Sequence, residues 1–259
     1  MNRREKMNAL DPDMFEALNT TSAELANDPT LRCVVLSGEG KAFCAGLDFS
    51  SFQAMGSGDR PSPSDSNDSP ADSGLLNTEE RITHRGQQAV YGWTEMPVPV
   101  IAAVHGHALG GGIQLALGAD IRIVAPDAKL SVLEIRWGLI PDMTGTQALV
   151  NLVGLDVAKE LTFTGRMVSG TEAVELGLCT HLSDDPRSDA LAMAADIAGK
   201  SPHAIRAAKR LFNTAPKDST AEGFANERRE INALIGSANQ VEQITAFFEK
   251  REPNFVDPE

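Results

Sequence analysis

The sequence predicts an α/β fold in which a strand, a glycine-containing turn and the start of a helix recur along the chain. The clearest example is Val98 to Asp120, VPVIAAVHGHALGGGIQLALGAD, an apolar run that turns at three glycines and resumes with helical spacing. Arg32 to Phe49 repeats that order. The third observation is a helical pattern from Pro186 to Phe248, broken at Ser201-Pro202 and near Ala215-Pro216. We therefore expect a core of repeated units followed by a helical tail.

Composition and charge argue against several classes of protein. The 259 residues suffice for one large core, and their apolar fraction of 42% is ordinary for a globular protein. The formal net charge of −13 disfavours a nucleic-acid or anionic-membrane partner. No apolar run approaches the roughly 20 residues of a membrane-spanning helix. The chain does not open with a basic-then-apolar leader, so we expect neither secretion nor membrane insertion.

The cysteines and histidines favour no metal or thiol chemistry. Cys33, Cys44 and Cys179 lack metal-type and CxxC spacing, which predicts reduced thiols in a cytoplasmic protein. Cys44 has no evident histidine partner that would make it a nucleophile. His105 and His107 would face the same side of a strand, but the sequence offers no further ligands. We therefore expect no metal site.

Local signals predict the remaining elements. Asp11 is a plausible N-cap with Pro12 at the first helical position, which predicts a helix to Asn27. The low-complexity stretch 56–74 is expected to be a mobile loop, either a surface insert or a lid, and a helix after it ends near Glu95. Strands are predicted at Arg32–Ser37, Asp120–Ala125, Lys129–Ile135 and Cys179–Leu182, and a short strand and turn at Phe163–Arg166. Helices are predicted from Thr146 and over Thr171–Gly177.

The turn at Gly110-Gly111-Gly112 is the first candidate for chemistry. Glycine allows positive φ and the close approach of a ligand to the backbone. The helix that follows points its first N–H groups back at the turn, where they would stabilise an oxyanion on a bound carbonyl. The alternative is a tight turn without a ligand.

Several stretches, in this order, resemble the crotonase superfamily, the enoyl-CoA hydratase/isomerase group: GEGKAFCAGLDFSSF, PVIAAVHGHALGGGIQLALGADIRI, LEIRWGLIPDMTGTQ and ELTFTGRMVSGTEAVELGLC. MNRREKMNAL and FFEKREPNF at the two ends match as well. The resemblance implies a crotonase-like ββα spiral core over residues 1–197 and a helical trimerisation region over 198–259. It also implies acyl-CoA thioester substrates, no cofactor beyond the coenzyme A of the substrate, and a homotrimer or dimer of trimers. In the family a β-hairpin normally precedes the MNRREKMNAL segment. Either this protein lacks that hairpin, which would leave an exposed sheet edge, or the chain start is misassigned.

The resemblance also assigns the reacting groups. The N–H groups of Leu47 and Gly111 would form the oxyanion hole. The family's hydratases carry two glutamates, of which one is matched by Glu134 and the other is replaced by Gln114. A carboxamide can orient a water molecule but cannot take its proton at neutral pH. Asp142 stands where dienoyl-CoA isomerases have aspartate; alternatively it is a turn residue, as Glu134 is alternatively an exposed strand-end carboxylate.

Further residues match the family's substrate contacts. Arg4 and Lys6 lie where the family binds the adenosine end of coenzyme A, and Lys250 matches a lysine that reaches the nucleotide phosphate. Solvated surface lysines and arginines are the alternative. The other expected contacts flank the glycine turns and the catalytic loop: Met7, Ala45, Gly46, Asp48, Phe49, Gly110 and Pro141.

Three functions remain open at this point. Double-bond isomerisation of a 3-enoyl- or dienoyl-CoA is favoured, since a single glutamate, Glu134, suffices for the family's 3,2-enoyl-CoA isomerases. Hydration would require Glu134 to act as both acid and base, with Gln114 positioning the water, or Asp142 to stand in. The third possibility is a coenzyme A-binding or assembly protein that has lost catalysis. A Clp-type peptidase would need a serine and a histidine that GGGIQ does not offer.

Overall fold

A computed structural model describes residues 1–49 and 82–258. Within those ranges, β1, β2, β4 and β7 form a parallel sheet in the order β1-β2-β4-β7. A second sheet has the order β3-β5-β6, in which β3 and β5 are parallel and β5 and β6 antiparallel. The strands are β1 Val34–Ser37, β2 Val100–Val104, β3 His107–Leu109, β4 Ile121–Val124, β5 Lys129–Ser131, β6 Val168–Ser169 and β7 His181–Leu182. The predicted loop at 56–74 lies outside the described residues.

Helices lie before, between and after these strands. Short 3-10 helices lie at Arg4–Lys6 and Glu134–Trp137. The α-helices are α1 Pro12–Ala26, α2 Arg85–Glu95, α3 Gly111–Leu117, α4 Gly145–Val153, α5 Leu155–Thr164, α6 Gly170–Glu175, α7 Pro186–Ala198, α8 Pro202–Thr214, α9 Thr220–Leu234 and α10 Ala238–Glu249. Among the described helices, none combines the length and the apolar composition needed to cross a bilayer.

The central strand–turn–helix unit explains how the core forms. All five residues of β2 are buried, as the continuous apolar run predicts, and Ile101 pairs with Ile121 of β4. After β2 the chain turns at Gly106 and enters β3, which belongs to the other sheet. α3 begins two residues after β3 and is buried along nearly its whole length. The unit therefore places the start of α3 directly after β3 of the second sheet.

Several predicted elements are confirmed. The Asp11 side chain accepts a hydrogen bond from the Met14 N–H at 2.8 Å, which caps α1 with Pro12 in its first turn. α2 ends at Glu95, before Pro97 and Pro99. The helical tail breaks at Ser201 and near Ala215 as expected. It has a further break at Ile235–Ser237 that the sequence pattern did not predict.

Two strand predictions are wrong. The strand predicted over Lys129–Ile135 ends at Ser131, and the chain turns so that Glu134 begins a 3-10 helix. The strand predicted at Phe163–Arg166 is the end of helix α5, because Leu161 packs into the core and Gly165 ends the helix in the left-handed conformation. In addition, α6 begins at Gly170 and is capped by the Ser169 side chain, one residue before the predicted start.

The predicted boundary between core and tail falls near the end of α7. Ala190 on α7 is fully buried against Ile101, Ala103 and Ile123 of the parallel sheet. α7 therefore packs with the core, and its last residue is Ala198. The division at 197/198 stays a prediction.

A buried ion pair joins α8 to the central strands. The Lys209 ammonium donates hydrogen bonds to the Val98 carbonyl at 3.0 Å and the Asp120 carboxylate at 2.7 Å. The same carboxylate oxygen accepts the Val100 N–H at 2.7 Å. Lys209 has a side-chain exposure of only 6%, so its charge depends on these partners. The pair fixes α8 against the start of β2.

We expect Lys209→Met to lower the free energy of unfolding by about 3 kcal/mol, since it leaves the Asp120 carboxylate without its charged partner. Chemical denaturation measures the change. The matched control is Lys200→Met, which removes a solvent-exposed pair with Asp196 and should cost less than about 1 kcal/mol. Equal losses for the two variants would contradict the structural role of Lys209.

Candidate active site

The glycine turn opens into a cavity of about 610 Å³. Its floor is formed by the segments 45–47 and 109–111, and the second of these includes the first residue of α3. One wall comes from α1 and the start of α2, and the other from the chain between 133 and 143. Apolar side chains dominate these walls: Leu10, Phe15, Leu133, Trp137, Leu139, Ile140 and Met143. The cavity is therefore suited to an apolar ligand with a few polar groups at its floor.

The two segments of the floor contact each other through positive-φ glycines. Gly46 has φ +90°, and a Cβ there would lie 2.5 Å from the Leu109 carbonyl oxygen and 3.7 Å from the Gly111 nitrogen. Gly110, with φ +53°, lies against the Glu134 carboxylate, from which a Cβ would be 3.6 Å away. A side chain at either position would be strained. These glycines bring Leu47, Gly111 and Glu134 to one floor.

Leu47 and Gly111 each carry an available N–H. The Leu10 N–H donates to the Gly46 carbonyl at 2.7 Å, and the Asp48 N–H donates to the Leu10 carbonyl at 2.9 Å. These two hydrogen bonds do not use the N–H of Leu47. Gly111 is the first residue of α3, and the N–H groups of the first helical turn have no acceptor within the helix. Among the described residues, neither N–H has a hydrogen-bond partner. Both belong to residues that line the cavity, and two such donors can hold one carbonyl oxygen.

Gln114 lies on α3, almost completely buried, and faces the same cavity. Its amide oxygen accepts the Met143 N–H at 2.8 Å and the Gly145 N–H at 3.0 Å. Its amide nitrogen donates to Oε1 of Glu134 at 2.6 Å. Gln114 therefore connects α3 to the Glu134 turn and to the start of α4.

Glu134 is buried rather than exposed at a strand end, which was one of the two alternatives. Its Oε2 atom is also buried and has no hydrogen-bond partner among the described residues. Burial raises the pKa of Glu134, the hydrogen bond from Gln114 opposes that rise, and the negative charge of Asp142 adds to it. A carboxylate with a raised pKa and one unoccupied oxygen, beside a cavity, has the properties of a general base.

Asp142 lines the cavity from an exposed position beyond Pro141. Pro141 itself is buried and does not line the cavity. The structure thus gathers five of the predicted groups, which are Leu47, Gly111, Gln114, Glu134 and Asp142, around one space.

Only some of the residues predicted to contact coenzyme A line the cavity. Ala45, Gly46 and Gly110 line it, whereas Arg4, Lys6, Met7, Asp48, Phe49 and Lys250 do not. Arg4 and Lys6 are exposed on the first 3-10 helix, and Lys250 is exposed at the end of α10. Their assignment to the nucleotide stays a prediction.

Arg3 is a structural residue that the sequence did not single out. Its guanidinium forms ion pairs with Asp11 at 3.0 Å and with Asp48 at 3.1 Å, and donates to the Ala9 carbonyl at 2.6 Å. Asp48 is thereby held next to Leu47 and against the N-cap of α1. Arg3 therefore fixes the segment that carries the Leu47 N–H.

The alternative sites are not supported by the geometry. His105 precedes β3 and its ring contacts the Gly40 carbonyl, so it does not share a strand face with His107, and that prediction is wrong. Among residues 1–49 and 82–258, no cluster of three or more His, Cys, Asp or Glu side chains could hold a metal. Burial raises the pKa of the Cys44 thiol to about 12, which keeps it protonated at neutral pH.

Comparisons with known proteins identify the family of this chain. The model of the family described as "Enoyl-CoA hydratase/isomerase" matches residues 1–258. A probable enoyl-CoA hydratase of Bacillus subtilis is 35% identical over 251 residues, covering 96% of this chain and 90% of its own. A Delta(3,5)-Delta(2,4)-dienoyl-CoA isomerase of Dictyostelium discoideum is 30% identical, with coverage of 98% and 85% respectively.

The fold is similar to that of solved structures of the same family. The crystal structure of an enoyl-CoA hydratase from Bacillus anthracis superposes with a TM-score of 0.83 at 30% identity, covering 98% of this chain and 92% of that one. The crotonase fold with a helical C-terminal region is thereby confirmed. The chain is an enzyme of the enoyl-CoA hydratase/isomerase family.

Proposed function

We propose that this enzyme moves the double bond of an unsaturated acyl-CoA rather than adding water to it. The observation that carries the proposal is the pair formed by Glu134 and Gln114. Glu134 presents one unoccupied carboxylate oxygen, and the group beside it is an amide. One carboxylate can shift a double bond by taking and returning the same proton, whereas hydration would require Glu134 to act as both acid and base, or Asp142 to take the second role.

In the proposed reaction the Leu47 and Gly111 N–H groups bind the thioester oxygen of a 3-enoyl-CoA. The Glu134 carboxylate removes a proton from carbon 2, and the electron pair of that C–H bond forms the enolate, whose charge rests on the bound oxygen. The enolate then collapses to form a double bond between carbons 2 and 3, and carbon 4 takes the proton back from Glu134. No atom is gained or lost and no redox group takes part, so coenzyme A serves only as part of the substrate. Each N–H of the hole is worth about 2.7–4 kcal/mol of barrier.

Asp142 supports dienoyl-CoA isomerisation as a second candidate. It lines the same cavity, and its charge contributes to the raised pKa of Glu134. A carboxylate at this place would return the proton to a carbon further along a conjugated chain than Glu134 reaches. The sequence similarity to a dienoyl-CoA isomerase agrees with this possibility.

The test is to incubate the protein separately with 3-enoyl-, 3,5-dienoyl- and crotonyl-CoA and to identify the products by mass and absorbance. The proposal expects a product of unchanged mass with a displaced double bond from the first or the second. Addition of water to crotonyl-CoA at a normal hydratase rate would favour hydration instead. Tight coenzyme A binding without turnover on any of the three would indicate a protein that has lost catalysis.

We expect the pH dependence of kcat/KM to report the pKa of Glu134. The base acts as the carboxylate, so activity should fall as pH decreases through a pKa that burial and Asp142 raise above the ordinary glutamate value. Asp142→Asn removes one cause of that increase and should move the acid limb to lower pH. A fall of kcat/KM at the pH of an ordinary glutamate, unchanged by Asp142→Asn, would contradict this description of the base.

We further propose a homotrimer, or a dimer of trimers, in the cytoplasm. The C-terminal helices and the chain after them expose large apolar side chains: Phe212, Phe224, Ile231, Ile235, Val241, Ile244, Phe247, Phe248 and Val256. An exposed apolar surface of this kind is typical of a contact between subunits. The free thiols of the three cysteines fit a reducing compartment. Arg4, Lys6 and Lys250 are proposed to meet the nucleotide end of coenzyme A.

A further inference from the structure

The orientation of the Gln114 amide is fixed by its neighbours. Two backbone donors, the N–H groups of Met143 and Gly145, point at the same atom from 2.8 and 3.0 Å. An NH₂ group there would place donors against donors, so that atom must be the amide oxygen. The nitrogen must then face Oε1 of Glu134, which lies 2.6 Å away. The amide cannot turn over without losing three hydrogen bonds.

This orientation decides which oxygen of Glu134 is held and which is left without a partner. The amide nitrogen holds Oε1, and Oε2 remains as the oxygen without a partner among the described residues. Both accepting sites of the Gln114 oxygen are already used, so that oxygen cannot accept a hydrogen bond from a water molecule. Gln114 could therefore position a water molecule, as hydration would require, only through the second N–H of its amide nitrogen.

We propose that Gln114 is a positioning residue that holds Oε1 of Glu134 and so sets the orientation of that carboxylate for the substrate. The amide supplies no acid–base group of its own. The inference rests on the isomerase activity proposed above. Gln114 acts through Glu134, because the bond that it donates favours the charged carboxylate. It also follows that a glutamate at position 114 would change the reaction and not only its rate.

Glutamate at position 114 fits the same contacts with one difference. One of its oxygens can accept the Met143 and Gly145 N–H groups, while the other lies at hydrogen-bond distance from Glu134. Two carboxylates so close cannot both be charged, so the pair would hold one shared proton. One member could then take a proton from water as its hydroxyl adds to carbon 3, and the other could donate a proton to carbon 2. These two transfers make up hydration.

The experiment compares Gln114→Glu and Gln114→Met with the wild type. Gln114→Met removes the bond to Glu134, and we expect kcat for isomerisation to fall by about 100-fold, the order expected for a misplaced catalytic group, with little change in KM. The fall of its kcat/KM at low pH should move to higher pH by about one unit, because the charged Glu134 carboxylate loses the hydrogen bond from the Gln114 amide. Gln114→Glu should move the limb up further and raise the rate of water addition to crotonyl-CoA by about 100-fold.

The matched control is Ser131→Ala. Ser131 is buried and its hydroxyl donates to the Gly165 carbonyl at 3.0 Å, so the variant loses a buried hydrogen bond without touching Glu134. We expect it to lower stability and leave the acid limb in place. Gln114→Met leaves two backbone N–H groups without an acceptor, whereas Gln114→Glu keeps that acceptor, and the thermal unfolding temperature of each variant is measured alongside its rates.

A second readout does not depend on turnover. The carboxyl carbon of Glu134 is assigned in a carbon NMR spectrum of labelled protein by its loss in Glu134→Gln, and its titration is followed in each variant. A higher midpoint in both Gln114 variants supports the positioning role even if the wild type proves to be no isomerase, which would refute the proposed function separately. Folded Gln114 variants with an unchanged Glu134 titration would overturn the inference.

Discussion

Glu134→Gln is expected to lower isomerase turnover by about 10²–10⁴-fold, the usual contribution of a general base. The amide has the shape of the carboxyl group but cannot take a proton at neutral pH. It can still accept the hydrogen bond from Gln114 by presenting its oxygen to that side. The fold and KM should therefore change little. Steady-state rates on 3-enoyl-CoA, together with the thermal unfolding temperature, measure both effects.

The control for this variant is Glu175→Gln. Glu175 lies exposed at the end of α6 and does not line the cavity. We expect wild-type rates from it. A Glu134→Gln enzyme that folds and turns over like Glu175→Gln would remove Glu134 from the mechanism.

Leu47→Pro is expected to lower kcat by about 10²–10³-fold, which is the loss seen where one donor of an oxyanion hole is deleted. Proline removes the N–H of residue 47, and that N–H has no hydrogen-bond partner among the described residues. The pairing of Leu10 with Gly46 and Asp48 uses other atoms, so it can remain. Circular dichroism and rate measurements on the purified variant report folding and catalysis separately.

Leu47→Ala provides the matched control because it shortens the same side chain and keeps the N–H. Its kcat should stay within about threefold of the wild type, since no transition-state donor is lost. Equal losses of kcat in the alanine and proline variants would mean that the side chain, and not the backbone N–H, supports the reaction.

The sequence predicted the elements whose signals are local. The buried β2, the glycine turn into α3, and the capped start of α1 were all visible in short stretches. Each of these depends on residue types within a few positions, such as Asp11 followed by Pro12. The end of α5 was mistaken for a strand because Phe163 and Thr164 favour strands locally. The burial of Leu161 and the left-handed Gly165 outweigh that preference, and neither could be read from the pattern.

The candidate site was predicted through its family resemblance and only in part through residue chemistry. The role of Gln114 depends on backbone N–H groups of Met143 and Gly145, which lie 29 and 31 residues further along the chain. No sequence pattern records such a contact. The pKa of Glu134 is raised mainly by burial. Glu134 lies in a 3-10 helix, whereas the sequence predicted a strand over Lys129–Ile135. Gln114 and Glu134 could be identified from the sequence, whereas the hydrogen bonds that relate them required the structure.

The most direct test of the account is to incubate 3-enoyl-CoA with the enzyme in water labelled with heavy oxygen and to analyse the products by mass spectrometry. Isomerisation through Glu134 moves a proton and leaves every oxygen in place. We therefore expect a 2-enoyl product that forms rapidly and contains no heavy oxygen. A hydroxylated product that carries the label and accumulates as fast as the substrate is consumed would contradict the account, because it would show that water takes part in the principal reaction.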